Sequence, residues 1–369
     1  MSISRLALTL AALLCTQSLQ AQRQPAASKA VPAAQTMTAA QLITLMDQVV
    51  QALLANDASR LPLAEGFRYT ENGQQLDIGD GLWRTLSAYA GQDPRIAPAS
   101  ASLKYRLNVV DAANGEIVAY RAIDESGTGG ILIIRLKAVG GKINELEAIP
   151  VRHEYSGPRG GTVTLLQARM MQMFNPALLG AVDPIFATAA PTNRASLIAA
   201  TNAYFDGQEA SRSAGISFDV ACARRDNGHQ VTGVASSPPL DAKKPAYKPW
   251  ALGCSAQVDS GLYRYIEQVR DRRFVVDASR GVVVAIDLMD VPGTVHSIDV
   301  PAVGKVSYPG AEAGASSINV GQQFNDFGGA NLKVPSTMLA VHLFKVRAGK
   351  IVRIETFYRP APYGLRSGW

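Results

Sequence analysis

ILIIRLKAVGGKINELEAI (residues 131–149) and MLAVHLFKVRAGKIVRIETF (residues 338–357) decide the fold. Each reads as an apolar strand, a glycine-containing turn and a second strand, around a shared Gly-Lys-Ile-x-x-(Leu/Ile)-Glu. Upstream, GEIVAYRAID (115–124) matches GVVVAIDLMD (281–290). Further out, Glu71-Asn72-Gly73 matches Asp226-Asn227-Gly228, and Asn-Gly is a strong hairpin turn signal. Outermost are two helical stripes. Leu42, Leu45, Met46, Val49, Val50, Leu53 and Leu54 recur at helical spacing, behind a capping box of Thr38 and Gln41. Leu197, Ile198, Thr201, Tyr204 and Phe205 form the second stripe, with Thr192 as its expected N-cap. Anchors that repeat in one order argue for a duplicated domain rather than a solenoid.

The elements between the anchors follow from local pattern. Strands are expected at 67–71, 102–110, 117–123, 131–139 and 142–151, with a short helix at 80–89. In the second half, strands are expected at 218–225, 273–277 and 281–287, with helix-like sequence at 261–269. The expected organisation is a signal peptide (1–21), a flexible leader (22–35), domain 1 (36–155), a linker with a helix (156–191, helix at 163–174), domain 2 (192–360) and a tail (361–369). Domain 2 carries two insertions, 231–259 and 294–336, read as long loops of the kind that serve as lids or binding loops.

Composition supports a folded chain. Hydrophobic residues are 47% and charged residues 18%, enough apolar material for real cores. The net charge is +6, divided as −3 over 36–155 (11 Lys/Arg, 14 Asp/Glu) and +4 over 187–360 (19 against 15), with no nucleic-acid footprint. Arg270, Arg272 and Arg273 read as a solvated strand entry. Arg5, the apolar run from Leu6 to Cys15, and Ala21 have the layout of an exported protein's signal peptide. No later stretch reaches 18 apolar residues, so no membrane association is expected after cleavage, and the location is periplasmic or secreted. Cleavage leaves Cys222 and Cys254, and an even count in an exported chain favours a disulfide.

The order helix, strand, short helix, meander, twice over, resembles the nuclear-transport-factor-2-like superfamily, including the SnoaL-like polyketide cyclases. The 42–54 stripe, Glu71-Asn72-Gly73, Gly79-Asp80-Gly81-Leu82-Trp83 and the closing Gly-Lys-Ile strands carry the resemblance. It implies an α+β fold of two cone-shaped domains, each a curved antiparallel sheet wrapped on N-terminal helices, with a pocket at the open end. Members of the superfamily include dehydratases, isomerases, epoxide hydrolases, cyclases and binding domains, so the fold leaves the reaction undecided. Neither the paired histidines of scytalone-dehydratase-like enzymes nor the Asp-Arg-Asp set of epoxide hydrolases aligns, and no family residue is carried over.

Common catalytic motifs (GxSxG, HExxH, P-loop) do not occur, and the GTGG run at 127–130 reads as a hairpin loop. No cofactor and no metal is expected. Candidate chemistry lies in polar residues on apolar strands. His342 occupies the position of Ile134 in the first half, and Asp287 that of Arg121. Each either faces a pocket for acid/base work or has a structural role. His229, after the Asn-Gly turn, is the third candidate. Arg224-Arg225-Asp226 either positions an anion or forms a surface turn, with Arg225 taken as the binding residue. Tyr263, Tyr265, Tyr358, Tyr69 and Trp83 either line apolar pockets with polar tips or fill the core. Two functions stay open: a metal-independent lyase, isomerase or hydrolase acting on a small organic molecule, or a non-catalytic module binding a small molecule or a protein. Internal pairing of the halves would make a monomeric pseudo-dimer.

Overall fold

The structure, a computed structural model, describes residues 37–88, 105–125, 128–152, 181–234, 248–301, 303–307 and 334–369. The expected signal peptide, leader and linker helix lie outside these residues.

In the first half, α1 (Ala39–Leu54) begins at the expected capping box: Thr38 accepts from the Gln41 backbone, and the Gln41 side chain accepts from that of Thr38. Its stripe from Leu42 to Leu53 is buried. Then follow β1 (Leu63–Glu71), β2 (Gln74–Leu76), α2 (Leu82–Thr85), β3 (Leu86–Ala88), β4 (Arg106–Asp111), β5 (Glu116–Glu125), β6 (Thr128–Val139) and β7 (Lys142–Arg152). The second half has α3 (Arg194–Ala210), β8 (Phe218–Asp226), β9 (His229–Gln230), α4 (Cys254–Asp259), β10 (Gln268–Asp277), β11 (Val282–Val291), a small hairpin of β12 (Ser297–Val300) and β13 (Gly304–Ser307), then β14 (Ser336–Arg347) and β15 (Lys350–Pro362).

The sequence repeat extends to topology. The first sheet runs β2-β1-β7-β6-β5-β3, with β4 also on β5, and the second runs β9-β8-β15-β14-β11-β10. Ile134 pairs with Ala119 and Ala148, as His342 pairs with Ala285 and Thr356. Gly115 and Gly281 both have positive φ, +64° and +60°. A Cβ there would meet the Ala138 or Val346 carbonyl at 2.3 Å, so this turn needs glycine in both copies.

Several expectations change. The sheets are mixed rather than antiparallel, because β1 pairs parallel with β7, and β8 with β15. The helix expected at 80–89 is one turn followed by a strand. Residues 261–269 form turns that lead into β10, which takes in the arginine cluster. Asn193 caps α3 in place of Thr192, accepting from Ala195 and Ser196. The insertions are not wholly loop, since α4 lies within the first and the β12–β13 hairpin within the second.

Each sheet buries both faces. On one face of the first sheet, α1 packs on Ala119, Ile123, Leu132, Ile134 and Leu136. On the corresponding face of the second, α3 and the β12–β13 hairpin pack on Val283, Ala285, Met289, Ala340 and Phe344. The opposite faces meet each other: Tyr120, Ile131 and Ile133 from one half share a core with Val284, Ile286, Leu339, Val341 and Leu343 from the other. The halves are therefore joined back to back within one chain, at about 1.5–3 kcal/mol for each large apolar side chain fully buried.

Polar contacts cross the same seam. Arg273 donates two hydrogen bonds, 2.8 and 2.7 Å, to fully buried Glu147. The expected solvated arginine cluster is thus ion-paired: Arg270 with Asp290, and Arg272 with Asp206 and Glu209. Tyr105 donates to Glu355, and Arg280 to the Asn108 carbonyl.

Candidate functional site

Strand alternation places His342 and Asp287 together. Their neighbours two residues away, Ala340 and Phe344 on β14 and Ala285 and Met289 on β11, all belong to the core under α3. Both side chains are 0% exposed, with His342 Nε2 3.3 Å from Asp287 Oδ2. Thr356 Oγ1 lies 3.0 Å from His342 Nδ1 and orients the ring. The approach of Nε2 to Oδ2 is poorly aligned for a hydrogen bond. Nε2 and both Asp287 oxygens therefore have no hydrogen-bond partner among the described residues. Burial pushes the Asp287 carboxyl above its ordinary value, against the opposing pull of His342. Aromatic rings enclose the imidazole, with Phe205 edge-on at 5.0 Å and Phe344 stacked at 5.9 Å.

A second polar group adjoins it. Buried Arg224 donates from Nε to Asp226 (2.7 Å) and from Nη1 to the hydroxyls of Tyr204 (2.7 Å) and Tyr263 (2.6 Å). Its guanidinium lies over the Tyr263 ring at 4.9 Å. Tyr263 donates to Gln257 Oε1, and the Gln257 amide is held by the Val231 and Pro249 carbonyls. Burial raises the Tyr263 phenol to about 12, partly offset by Arg224. Tyr204 bridges the two groups: its ring packs on Phe205 and Phe344, and both Arg224 and Asp287 act on it electrostatically.

The disulfide Cys222–Cys254 forms, with Cα atoms 6.0 Å apart. Cys222 lies two residues before Arg224 on β8, and Cys254 three residues before Gln257 on α4. The bridge and the Arg224–Tyr263–Gln257 chain therefore tie the same two elements together.

The other candidates divide by face. Tyr358 and Tyr263 belong to the core under α3, and Tyr265 packs against it. His229 is buried on β9 opposite Asp226. Arg225 does not join the group: it points to the opposite face and pairs with Glu355 at 3.4 Å, so its neighbour Arg224 is the inward arginine. Tyr69 and Trp83 lie in the first half, edge-on at 6.4 Å, and form part of its core under α1. Tyr69 donates to Glu71, which also accepts from the Leu82 backbone. Tyr204, Gln257, Thr356 and Gln208, whose Nε2 donates to the Tyr204 hydroxyl at 3.1 Å, were not among the residues expected at the site. Tyr204 was visible only as a member of the α3 stripe, and the rest had no local signal.

Residues 190–358 match the model of a family described as a domain of unknown function, DUF8021. That span contains every residue of the polar group above. No curated protein matches the chain. Among the described residues no helix is long and apolar enough to cross a membrane, and no cluster of metal-ligating side chains occurs.

Proposed function

We propose that the chain is an exported protein of the nuclear-transport-factor-2-like, SnoaL-like cone type, whose second half acts on a small organic molecule by acid/base chemistry. The observation that carries this is the Asp287–His342 pair. Buried polar atoms without hydrogen bonds are rare and costly, and a carboxyl next to an imidazole is a costly choice for core filling. Asp287, its pKa raised by burial, suits a base working nearer neutrality. His342, oriented through Nδ1 by Thr356, holds Nε2 3.3 Å from Asp287 Oδ2 and can pass or receive the proton. An isomerase would use the pair to move one proton between neighbouring atoms, a lyase to take a proton from carbon and give one to the departing group as the double bond forms, and a hydrolase to deprotonate water. The first half then serves as scaffold, and the back-to-back pairing makes a monomer the working form. Light scattering at micromolar concentration should give a monomer, and a dimer as main species would count against that part.

The test is substrate profiling. Purified protein is incubated with a complex small-molecule extract and the mixture compared by mass spectrometry. The wild type should deplete at least one component, while Asp287→Asn and His342→Gln, folded by circular dichroism, should not. Equal depletion by the variants would remove the pair from the mechanism. A second reading, a non-catalytic binding module, is favoured by the complete burial of both side chains. A ligand retained unaltered in native mass spectrometry, with no depletion of any component, would select it.

A further inference from the structure

Arg224 has more donors than its partners use. Nε and Nη1 are taken by Asp226, Tyr204 and Tyr263, but Nη2 hydrogen-bonds to no described residue. About 5% of the residue's surface stays open. Tyr204 has a similar surplus. Its hydroxyl accepts from Arg224 and from Gln208 Nε2 (3.1 Å), and its own hydrogen reaches no acceptor among the described residues. Gln208 is fully buried and its Oε1 has no partner. Turning that amide round would use the Tyr204 hydrogen but strand the Nε2 hydrogens. Either orientation leaves buried donors beside Arg224.

A buried hydroxyl hydrogen beside a nearly buried, unused arginine donor calls for an acceptor. Charge selects which kind. Arg224 is already neutralised by Asp226, and the carboxyl of Asp287 acts on the same Tyr204. An anionic ligand would bring an unbalanced charge next to two buried carboxyl groups, those of Asp226 and Asp287. A neutral oxygen accepts the same hydrogen bonds without that cost. The surroundings are aromatic: Tyr204 packs edge-on against Phe205, Phe218 and Phe344, with centroids at 5.7, 6.2 and 5.2 Å. The first half has no counterpart, since Tyr69 and Glu71 occupy the register positions of Arg224 and Asp226.

We propose that Arg224 Nη2 and the Tyr204–Gln208 pair form a binding point for the neutral carbonyl oxygen of a small aromatic or largely apolar molecule. This rests on the reading of the second half as a small-molecule site and assigns its ligand class. Arg224 is the specificity-determining residue: it selects a neutral carbonyl over a carboxylate of the same size. A ligand held there lies beside Tyr204, whose neighbour Phe205 contacts the His342 ring.

The experiment uses the oxidised full chain and two probes of matched shape, carbonyl-13C acetophenone and benzoate. Acetophenone should bind at least tenfold more tightly than benzoate. Its carbonyl resonance should move downfield and its infrared carbonyl stretch to lower frequency, as hydrogen bonding requires. The double variant R224Q/D226N removes both charges, so no lone buried ion is left, and should lose at least tenfold in affinity and both spectral shifts. Should that variant fail to fold, Y204F should still weaken binding several-fold and reduce the shifts. This experiment reads carbonyl binding and the substrate-profiling test reads depletion, so spectral shifts without depletion would overturn the acid/base reading alone, and depletion without shifts would overturn this inference alone. Benzoate binding as tightly as acetophenone, no binding of acetophenone, or unshifted spectra in the wild type would overturn the proposal.

Discussion

The two halves have the same strand order, paired register and turn glycines, yet their helix-covered sheet faces differ in kind. Where the second half places His342, Asp287 and Thr356, the first has Ile134, Arg121 and Ala148 at the same register positions. Arg121 directs its guanidinium to the Leu107 and Tyr120 carbonyls and to Asn108, and lies 3.5 Å from Asp47 of α1. Its ionic group is absorbed by the backbone. Asp287 is left with oxygens that nothing described absorbs. The two halves thus share a scaffold, and three side chains give one covered face unpartnered acid and imidazole atoms where the other has two apolar residues and a hydrogen-bonded arginine. The disulfide also belongs to the second half alone.

The largest expected effect concerns what the halves share. Arg273→Ala leaves Glu147 buried without its bidentate partner and should cost about 3–5 kcal/mol in chemical denaturation. A loss under about 1 kcal/mol would mean that this ion pair adds little to the apolar packing of the seam. Removing the device found only in the second half comes next. Cys222→Ser should lower stability by roughly 2–5 kcal/mol, and alkylation of the native protein without reductant should leave its intact mass unchanged. Two alkylated cysteines in the native protein would show that the bridge is absent.

Exchanging the differing positions is a smaller perturbation. Ile134→His would bury an imidazole facing Ala148 instead of a threonine, at a cost of about 1–3 kcal/mol. Thr356→Ala, which removes the partner of His342 Nδ1, should cost about 0.5–1.5 kcal/mol. A neutral result for Ile134→His would mean that the first half is as tolerant of polar groups as the second.

The smallest effect is a slope with pH. Asp287 has a raised folded pKa, so as pH rises above the ordinary carboxylate value the unfolded chain releases its proton first. Stability therefore falls with rising pH until the folded group also ionises, and then levels off. Asp287→Asn should remove that fall, so the difference between the two unfolding curves grows with pH across this window. A difference that does not change with pH would mean that Asp287 is not shifted.

The repeat was legible because it is written in local signals. Asn72-Gly73 and Asn227-Gly228 both adopt the positive φ that such turns need. The stripe from Leu42 to Leu53 and the strands around 131–149 and 338–357 formed as their spacing implied. The signals failed where apolar content was ambiguous, as at 261–269, where a run that reads as helical is used as turns and the start of a strand. The pairing of Arg273 with Glu147 across the seam spans 126 residues and has no local trace.

The site shows the same division. Sequence by itself determined that His342 and Asp287 stand where the first half has Ile134 and Arg121, because the repeat sets position against position. It also determined that two cysteines were there to pair. The tertiary structure alone decided which face each residue takes and which arginine of Arg224-Arg225 turns inward. The reason is burial on both sides: every residue of β11, and nearly every residue of β14, is buried, so no alternation of polar and apolar residues marks the inner face. That assignment comes from what covers each face, α3 on one and the other half's sheet on the other. It also brings Tyr204, with Gln208 bonded to it, from a helix onto Arg224 of a strand.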